Sequence, residues 1–238
     1  MAGSAIIYTG GIYHPFEESA GALAAILGEV GIAARTSFEL DEVLHALSAE
    51  PSALLVVYAL RWSMTQNEKY APDRARWALA LPEAARRAIA GHVRAGGGLL
   101  GLHTASICFD DWPEWGEVLG GAWTWGTSFH PPLGPVRVHL DGRHALAHGL
   151  DGFELTDEAY SQLRLAPGVE VYGWVESAAA PGSTRQPALW TNRYGKGRAG
   201  YDSLGHDAAS LQHPTHRRLL QRAALWAGGR PADVVEAA

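Results

Sequence analysis

Cysteine is almost missing. Cys108 is the only one in 238 residues, so no intrachain disulfide can form and no paired thiols exist to hold a structural zinc. That usage is expected of a reducing cytoplasm. Basic residues are also outnumbered: 19 Lys and Arg stand against 25 Asp and Glu, a net charge of −6, and no run concentrates cations as a phosphate-tracking groove would. Nucleic acid is not an expected partner. No stretch reaches the roughly 18 consecutive apolar residues of a membrane span, and the start MAGSAIIYTGG lacks a basic region leading into an apolar run and a cleavage site. The expectation is a soluble, unprocessed, cytoplasmic chain. Repeats and low-complexity tracts are absent, and GGIYHP and GGGLLG lack the spacing of a P-loop or a dinucleotide fingerprint.

What is present is a large apolar fraction, 47%, enough to bury a substantial core, and we read residues 1–238 as one domain. The first half alternates strand and helix patterns: SAIIYT (4–9), a helix over 16–31, IAARTS (32–37), a helix at LDEVLHAL (40–47), then SALLVVYAL (52–60). The last of these is apolar enough to be covered on both faces. A polar excursion from Arg61 to Leu81 follows, and then PEAARRAIAGHVRAG, with Pro82 suited to a helix start and Gly96 to its end, delivers the chain into GLLGLH. Alternation of this kind predicts an α/β fold with a doubly wound, mostly parallel sheet. In the second half GPVRVHL, VEVYGWVES, QPALWTNRYG and GRAGYDSLG read as further strands that extend or flank that sheet, SAAAPGSTR (177–185) as a surface loop, and PTHRRLLQRAALWAGG (214–229) as a closing helix.

Ligands of an open parallel sheet sit beyond the carboxyl ends of its strands, where neighbouring loops diverge. His14 follows the first strand, Arg61 and Trp62 the third, and His103 the fourth. The second half adds His130 in SFHPP, Asp157, Glu158 and Tyr160 in TDEAYS, and Asp202, His206 and Asp207 in YDSLGHD. Each has a plain alternative: His14 could cap the next helix, His103 could be a hydrogen-bonded core histidine, and His130 could serve a turn before its two prolines. In GLHTA the strand-to-helix elbow, where such folds often present a nucleophile, is occupied by His103 itself. Cys108 lies among apolar neighbours that suit an inert thiol, and nothing resembles G-x-S-x-G, so acyl transfer through Cys or Ser is disfavoured.

A pocket of histidines and carboxylates remains. Imidazole titrates near neutrality and can move protons at a sugar hydroxyl or at the carbon beside a carbonyl, with a carboxylate to orient it. The same groups suit a divalent metal such as zinc, with His103, His130 and His206 as candidate ligands, although no local H-x-x-x-H or H-E-x-x-H pairing is present. Tryptophans, Trp62, Trp123, Trp125 and Trp190 among them, offer flat faces for sugar rings, while most tryptophans serve packing.

The ordered segments TGGIYHPFE, GGGLLGLHTAS, FDDWPEWGEVLGG, SFHPP, FELTDEAY and PALWTNRYGKGRAGYDSLGHD resemble the trehalose-utilisation (ThuA-like) family, a branch of the class I glutamine amidotransferase-like superfamily. The resemblance spans nearly the whole chain. It implies a flavodoxin-like sheet, replacement of the amidotransferase cysteine by His103, and a role in carbohydrate metabolism, acting on keto-sugars made by a partner dehydrogenase. It also implies a site built from His14, His103, His130, Glu158, Tyr160 and His206. RWSMTQNEKYAPDRARW departs from the family pattern and leaves the substrate open.

The reading is a sugar-modifying enzyme without a cysteine nucleophile. His103 and His206 supply proton transfer or metal ligation, Glu158 assists them, and His14, His130, Tyr160, Trp62 and Trp190 contact a small-molecule carbohydrate. The alternative is a non-catalytic carbohydrate-binding or regulatory module on the same fold. A homodimer is compatible with the composition.

Overall fold

A computed structural model describes residues 3–180 and 184–238. One nine-stranded sheet organises it. Strands β1 (Gly3–Gly11), β2 (Ile32–Ser37), β3 (Leu54–Leu60) and β4 (Gly98–Leu102) come from the first half of the chain. The second half supplies a short β5 (Gly121–Ala122), then β6 (Gly134–Leu140), β7 (Phe153–Asp157), a short β8 (Arg164–Leu165), β9 (Glu170–Glu176), β10 (Gln186–Tyr194) and β11 (Gly197–Asp202). The sheet order is β2-β1-β3-β4-β11-β10-β9-β6-β7, and β5 pairs with β8 apart from it. From β2 to β11 the pairings are parallel; from β11 outward they are antiparallel. The second-half strands therefore extend the parallel sheet through β11, which pairs directly with β4.

Helices α1 (Phe16–Glu29), α2 (Leu40–Ala49), α3 (Ala71–Trp77), α4 (Glu83–Ala95), α5 (Trp115–Leu119), α6 (Ala208–Gln212), α7 (Pro214–Ala227) and α8 (Ala232–Ala237) complete the fold. The period-2 alternation of the central strands divides the core in two. Ile7, Val56 and Leu100 pack on Leu23, Ile26 and Leu27 of α1 and Leu219 and Leu220 of α7, whereas Ile6, Leu55 and Leu99 pack on Val43 and Leu47 of α2 and Ile89 and Val93 of α4. Covering both faces explains why every residue of LLVVYAL in β3 is buried.

Several elements depart from the pattern reading. The excursion after β3 is folded: residues 68–70 form a 3-10 turn that runs into α3. FELTD forms β7, and two short helices, α5 and α6, form in stretches to which the sequence pattern assigned no element. Helices this short carry too little periodicity to be seen in a sequence. Residues 181–183 of the expected 177–185 loop lie outside the described residues. Among the described residues no helix is long and apolar enough to cross a membrane.

A buried ion pair ties the end of β11 to α7. His216 is fully buried; its Nδ1 faces the Ser210 carbonyl at 2.8 Å and its Nε2 faces Asp202 Oδ2 at 3.0 Å. Both ring nitrogens face acceptors, so the imidazolium is the form that satisfies both. Burial opposes that charge, but the Asp202 carboxylate outweighs it and raises the pKa of His216 above the ordinary imidazole value. A raised folded-state pKa gives stabilisation that is complete below the unfolded value of about 6.5 and fades as pH rises through the folded value. We expect His216→Ala to lower stability by about 3–5 kcal/mol near pH 6 by stranding a buried carboxylate, and to flatten the decline above neutrality. Urea unfolding across pH checks both; equal stability of the two proteins near pH 6 would break the assignment.

Candidate functional site

The carboxyl ends of β1, β3, β4 and β11 open toward one hollow, and each sends a loop into it. Two glycines bend the chain after β1. Gly11 has φ +136°, and a Cβ there would lie 2.4 Å from the Leu60 carbonyl oxygen, so only glycine lets β1 turn so close to β3 and aim His14 inward. The His14 carbonyl accepts from the Phe16 N–H at 2.9 Å at the start of α1, while its imidazole turns away from the helix, with Nδ1 facing the Ile12 carbonyl at 3.4 Å.

His103 stands at the elbow after β4 with φ +49°, a left-handed conformation uncommon for non-glycine residues, though histidine adopts it more readily than most. Its surroundings hold it there. Tyr201 Oη donates to the His103 carbonyl at 2.7 Å, and Thr104 Oγ1 donates to the Ala59 carbonyl at 2.6 Å. The His103 Nδ1–H donates to the Ser203 carbonyl at 2.7 Å, which leaves Nε2 to face the hollow. There it meets His14 Nε2 at 3.0 Å, Glu158 Oε2 at 3.4 Å and Tyr160 Oη at 3.5 Å.

Two imidazole Nε2 atoms at 3.0 Å cannot both present lone pairs to one another unless a proton or a cation lies between them. The remaining groups sharpen the point. Glu158 Oε2 is 3.9 Å from His14 Nε2, and Glu158 Oε1 is 3.6 Å from His206 Nδ1. Glu158 Oε2 and His206 Nδ1 are buried without a hydrogen-bond partner. One ligand atom from each of His14, His103, Glu158 and His206 lies within 4.8 Å of all the others. A tetrahedral zinc at about 2.0–2.1 Å from nitrogen and oxygen ligands separates them by roughly 3.3 Å, so the set fits such an ion after small shifts.

The electrostatics agree with a cluster that awaits positive charge. Burial raises the Glu158 carboxyl pKa, yet the nearby imidazoles of His103, His14 and His206 outweigh it and hold the group well below the usual carboxylate range. Burial lowers the pKa of His14, and the nearby Glu158 carboxylate raises that of His206. Tyr160, fully buried, is held protonated.

Asp157 supports this cluster from behind. Its Oδ1 accepts from the Glu158 backbone N–H at 2.7 Å, its Oδ2 accepts from Gly205 N–H at 2.8 Å and Ser210 Oγ–H at 2.5 Å, and Oδ1 lies 4.0 Å from His103 Nδ1. One carboxylate thus locates Glu158 and the loop carrying His206. In front of the cluster lies a pocket of about 360 Å³ with walls that include Trp62, Tyr70, Trp123, Trp125 and Tyr160.

Of the residues expected from sequence, His14, His103, Glu158 and His206 converge, with Tyr160 beside them and Trp62 on the pocket wall. Two assignments are corrected. His130 is outside the four-atom cluster: its Nδ1 reaches Glu158 Oε1 at 3.4 Å but also faces its neighbour's Pro131 carbonyl at 2.9 Å, so His14 and Glu158 replace it in the candidate metal set. Trp190 contacts no substrate site. It is buried in the opposite core layer, stacked on Tyr201 at 4.1 Å with Nε1 donating to the Leu119 carbonyl, because its β10 position points to the α5 side of the sheet. Arg61 turns its Nε to the Trp77 carbonyl. Cys108 is buried, its thiol faces the Ala59 carbonyl, and its pKa is pushed up to about 12 by burial, which makes it a poor nucleophile. Lys69 and Tyr70 on the wall were missed; their only signal was their place in the excursion after β3.

A family model described as trehalose utilisation matches residues 5–227. Among solved structures, a protein described as ThuA-like from Parabacteroides merdae ATCC 43184 is 20% identical, with a TM-score of 0.75 over 97% of this chain and 91% of its own. A cytoplasmic protein from Salmonella typhimurium LT2 is 17% identical, with a TM-score of 0.60 over 94% of this chain and 97% of its own. A β-galactosidase from Rahnella sp. R3 is 18% identical, with a TM-score of 0.61 over 97% of this chain but 32% of its own. At these identities the structural likenesses establish the fold alone. No curated protein matches the sequence.

Asp157→Asn keeps the shape of the supporting side chain and removes its charge. We expect zinc affinity to fall about 10–100-fold with the fold retained, measured by competition with a chromophoric chelator and by circular dichroism. Unchanged affinity would detach Asp157 from the cluster.

Proposed function

Because the chain belongs to the trehalose-utilisation (ThuA) family, whose model spans residues 5–227, we propose that it is a cytoplasmic enzyme of carbohydrate metabolism that transforms a sugar or keto-sugar at the His14, His103, His206 and Glu158 cluster. The observation that carries this reading is the pair of buried, unpartnered ligand atoms, Glu158 Oε2 and His206 Nδ1, aligned with two imidazole Nε2 atoms at the foot of an aromatic-walled pocket. Buried polar atoms without partners are rare in folded proteins and mark places where something else binds. The likeness to a Salmonella cytoplasmic protein and the single cysteine support the location.

Three imidazole nitrogens and one carboxylate oxygen make a donor set suited to zinc. A divalent cation held there supplies a Lewis acid for a carbonyl or hydroxyl oxygen of the substrate. The chain's own groups do the rest. Trp62 and Trp125 take the CH face of the sugar ring. Tyr160, kept protonated by burial, donates to a substrate oxygen beside His103. Glu158, kept ionised, holds the imidazoles toward the reacting carbon. His130, with a side chain 36% exposed and 3.4 Å from Glu158 Oε1, exchanges protons between the site and solvent, as general acid–base work at a hydroxyl or beside a carbonyl requires. No covalent step through sulfur enters, since the one thiol is buried and protonated.

The test is metal analysis of the purified protein together with product analysis on keto-disaccharides and their parent sugars. Wild type is expected to hold about one divalent ion per chain, and His103→Ala to lower turnover about 10²–10⁴-fold. Unchanged turnover in His103→Ala would remove the catalytic assignment. Saturable sugar binding by wild type with no product after long incubation favours a non-catalytic binding module on the same fold.

A further inference from the structure

The excursion after β3 is anchored as a built segment. Asp110 accepts from the Ser63 backbone N–H at 2.7 Å and its hydroxyl at 2.8 Å, and also from the Gln66 amide; Gln66 Oε1 in turn accepts from Trp62 Nε1 at 3.1 Å. Arg74 Nε donates to the Met64 carbonyl at 3.1 Å, and Met64 itself is fully buried with φ +56°. A non-glycine residue held in that region costs energy, and such strain concentrates where a segment is shaped for a purpose.

What the segment presents is a row of rings ending in a cation. Trp62 lies 5.1 Å from Tyr70 and 6.2 Å from Trp125, nearly parallel to the latter, and the Lys69 ammonium sits 4.9 Å above the Tyr70 ring. The row continues from Trp125 to Trp123 at 6.1 Å, to Tyr160 at 5.4 Å and to His103 at 4.7 Å. It therefore runs from the imidazole cluster to Lys69 along one wall.

The hydrogen-bonding character of that wall is one-sided. Trp123 Nε1 and Trp125 Nε1 are buried donors without acceptors, and Lys69 makes no ion pair among the described residues. Among the described residues Glu158 is the only carboxylate on the pocket lining, and imidazoles surround it. Sugar hydroxyls ordinarily meet carboxylates and amides that accept their protons; the end formed by Trp62, Lys69, Tyr70 and Trp125 has neither. Free donors, aromatic faces and one uncommitted positive charge call for a ligand with a CH face, acceptor oxygens and a negative charge. A lysine ammonium recognises such an anion as a point charge.

We propose that Lys69, with Trp62 and Trp125, forms an anion subsite at the far end of the pocket, and that the chain takes acidic sugars whose carboxylate or phosphate ester rests on Lys69 while the reacting carbon lies at the imidazole cluster. The assignment of the reacting carbon rests on the reading of the cluster given above; the charge preference does not.

The experiment is a binding titration by tryptophan fluorescence with three probes, glucose, glucuronate and glucose 6-phosphate, on wild type and Lys69→Met. Lys69 is exposed, its backbone N–H holds the local turn through Asn67 Oδ1, and its side chain touches only the face of Tyr70, so the variant retains the fold. Wild type is expected to bind at least one of the two anions about ten- to a hundredfold more tightly than glucose, and Lys69→Met to bring that anion to the level of glucose. Which anion wins separates a carboxylate from a phosphate ligand. Equal affinities in wild type, a preference that survives Lys69→Met, or no saturable binding of any probe at tens of millimolar overturns the proposal. An anion preference abolished by Lys69→Met, beside unaltered turnover in His103→Ala, keeps the subsite and removes the chemistry; the opposite pair of results does the reverse.

Discussion

The Asp157 carboxylate is 1% exposed and has no solvent to face; it is satisfied by hydrogens from two distant parts of the chain, and the site exists because those parts are brought to it. Glu158 N–H comes from its own turn at the end of β7, while Gly205 N–H and the Ser210 hydroxyl come from the loop and helix that follow β11. An ionised carboxylate in a low-dielectric interior is costly unless every lone pair is engaged, so the two segments cannot separate without stranding it. The pair formed by His216 and Asp202 secures the same loop from its other end.

On that frame the molecule concentrates groups that repel one another. Three imidazoles surround one carboxylate, two of their nitrogens are 3.0 Å apart, and one of the rings sits on a left-handed residue. Nothing in the interior of a stable protein favours such an arrangement for its own sake. It persists because the surrounding bonds over-determine it: Ser203, Tyr201 and Thr104 fix the His103 turn, and Gly11 lets His14 approach. Strain of that kind, paired with buried atoms that lack partners, is the physical signature of a binding centre. The aromatic wall adds a second polarity, since the Lys69 ammonium stands at the end away from Glu158.

Much of this was legible in the residues themselves. IAARTS and LLVVYAL fall where the apolar periods place them, and Gly96 closes α4 with φ +120° as a glycine past a helix end should. The rule that ligands lie beyond the carboxyl ends of parallel strands singled out His14, His103 and His206, whose imidazoles the structure brings together. Trp190 was singled out for its aromatic face alone, and residue type does not say which face of β10 a side chain takes once bulges at Pro187–Leu189 and Leu189–Trp190 shift the register. The strand-end rule passed over Lys69 and Tyr70, which follow a strand end by several residues and become part of the wall where Asp110, from the loop after β4, folds the segment back.

The sequence alone determined the class of fold, the inertness of the single cysteine and the identity of the imidazoles, because apolar period, turn chemistry and residue type are local properties written along the chain. Only the tertiary structure decided that His14 and Glu158, rather than His130, complete the cluster, and that a cation stands at the far end of the pocket. Those facts depend on distances between segments tens to nearly two hundred residues apart, which are set by the order of strands in the sheet and by which buried charge each loop must satisfy.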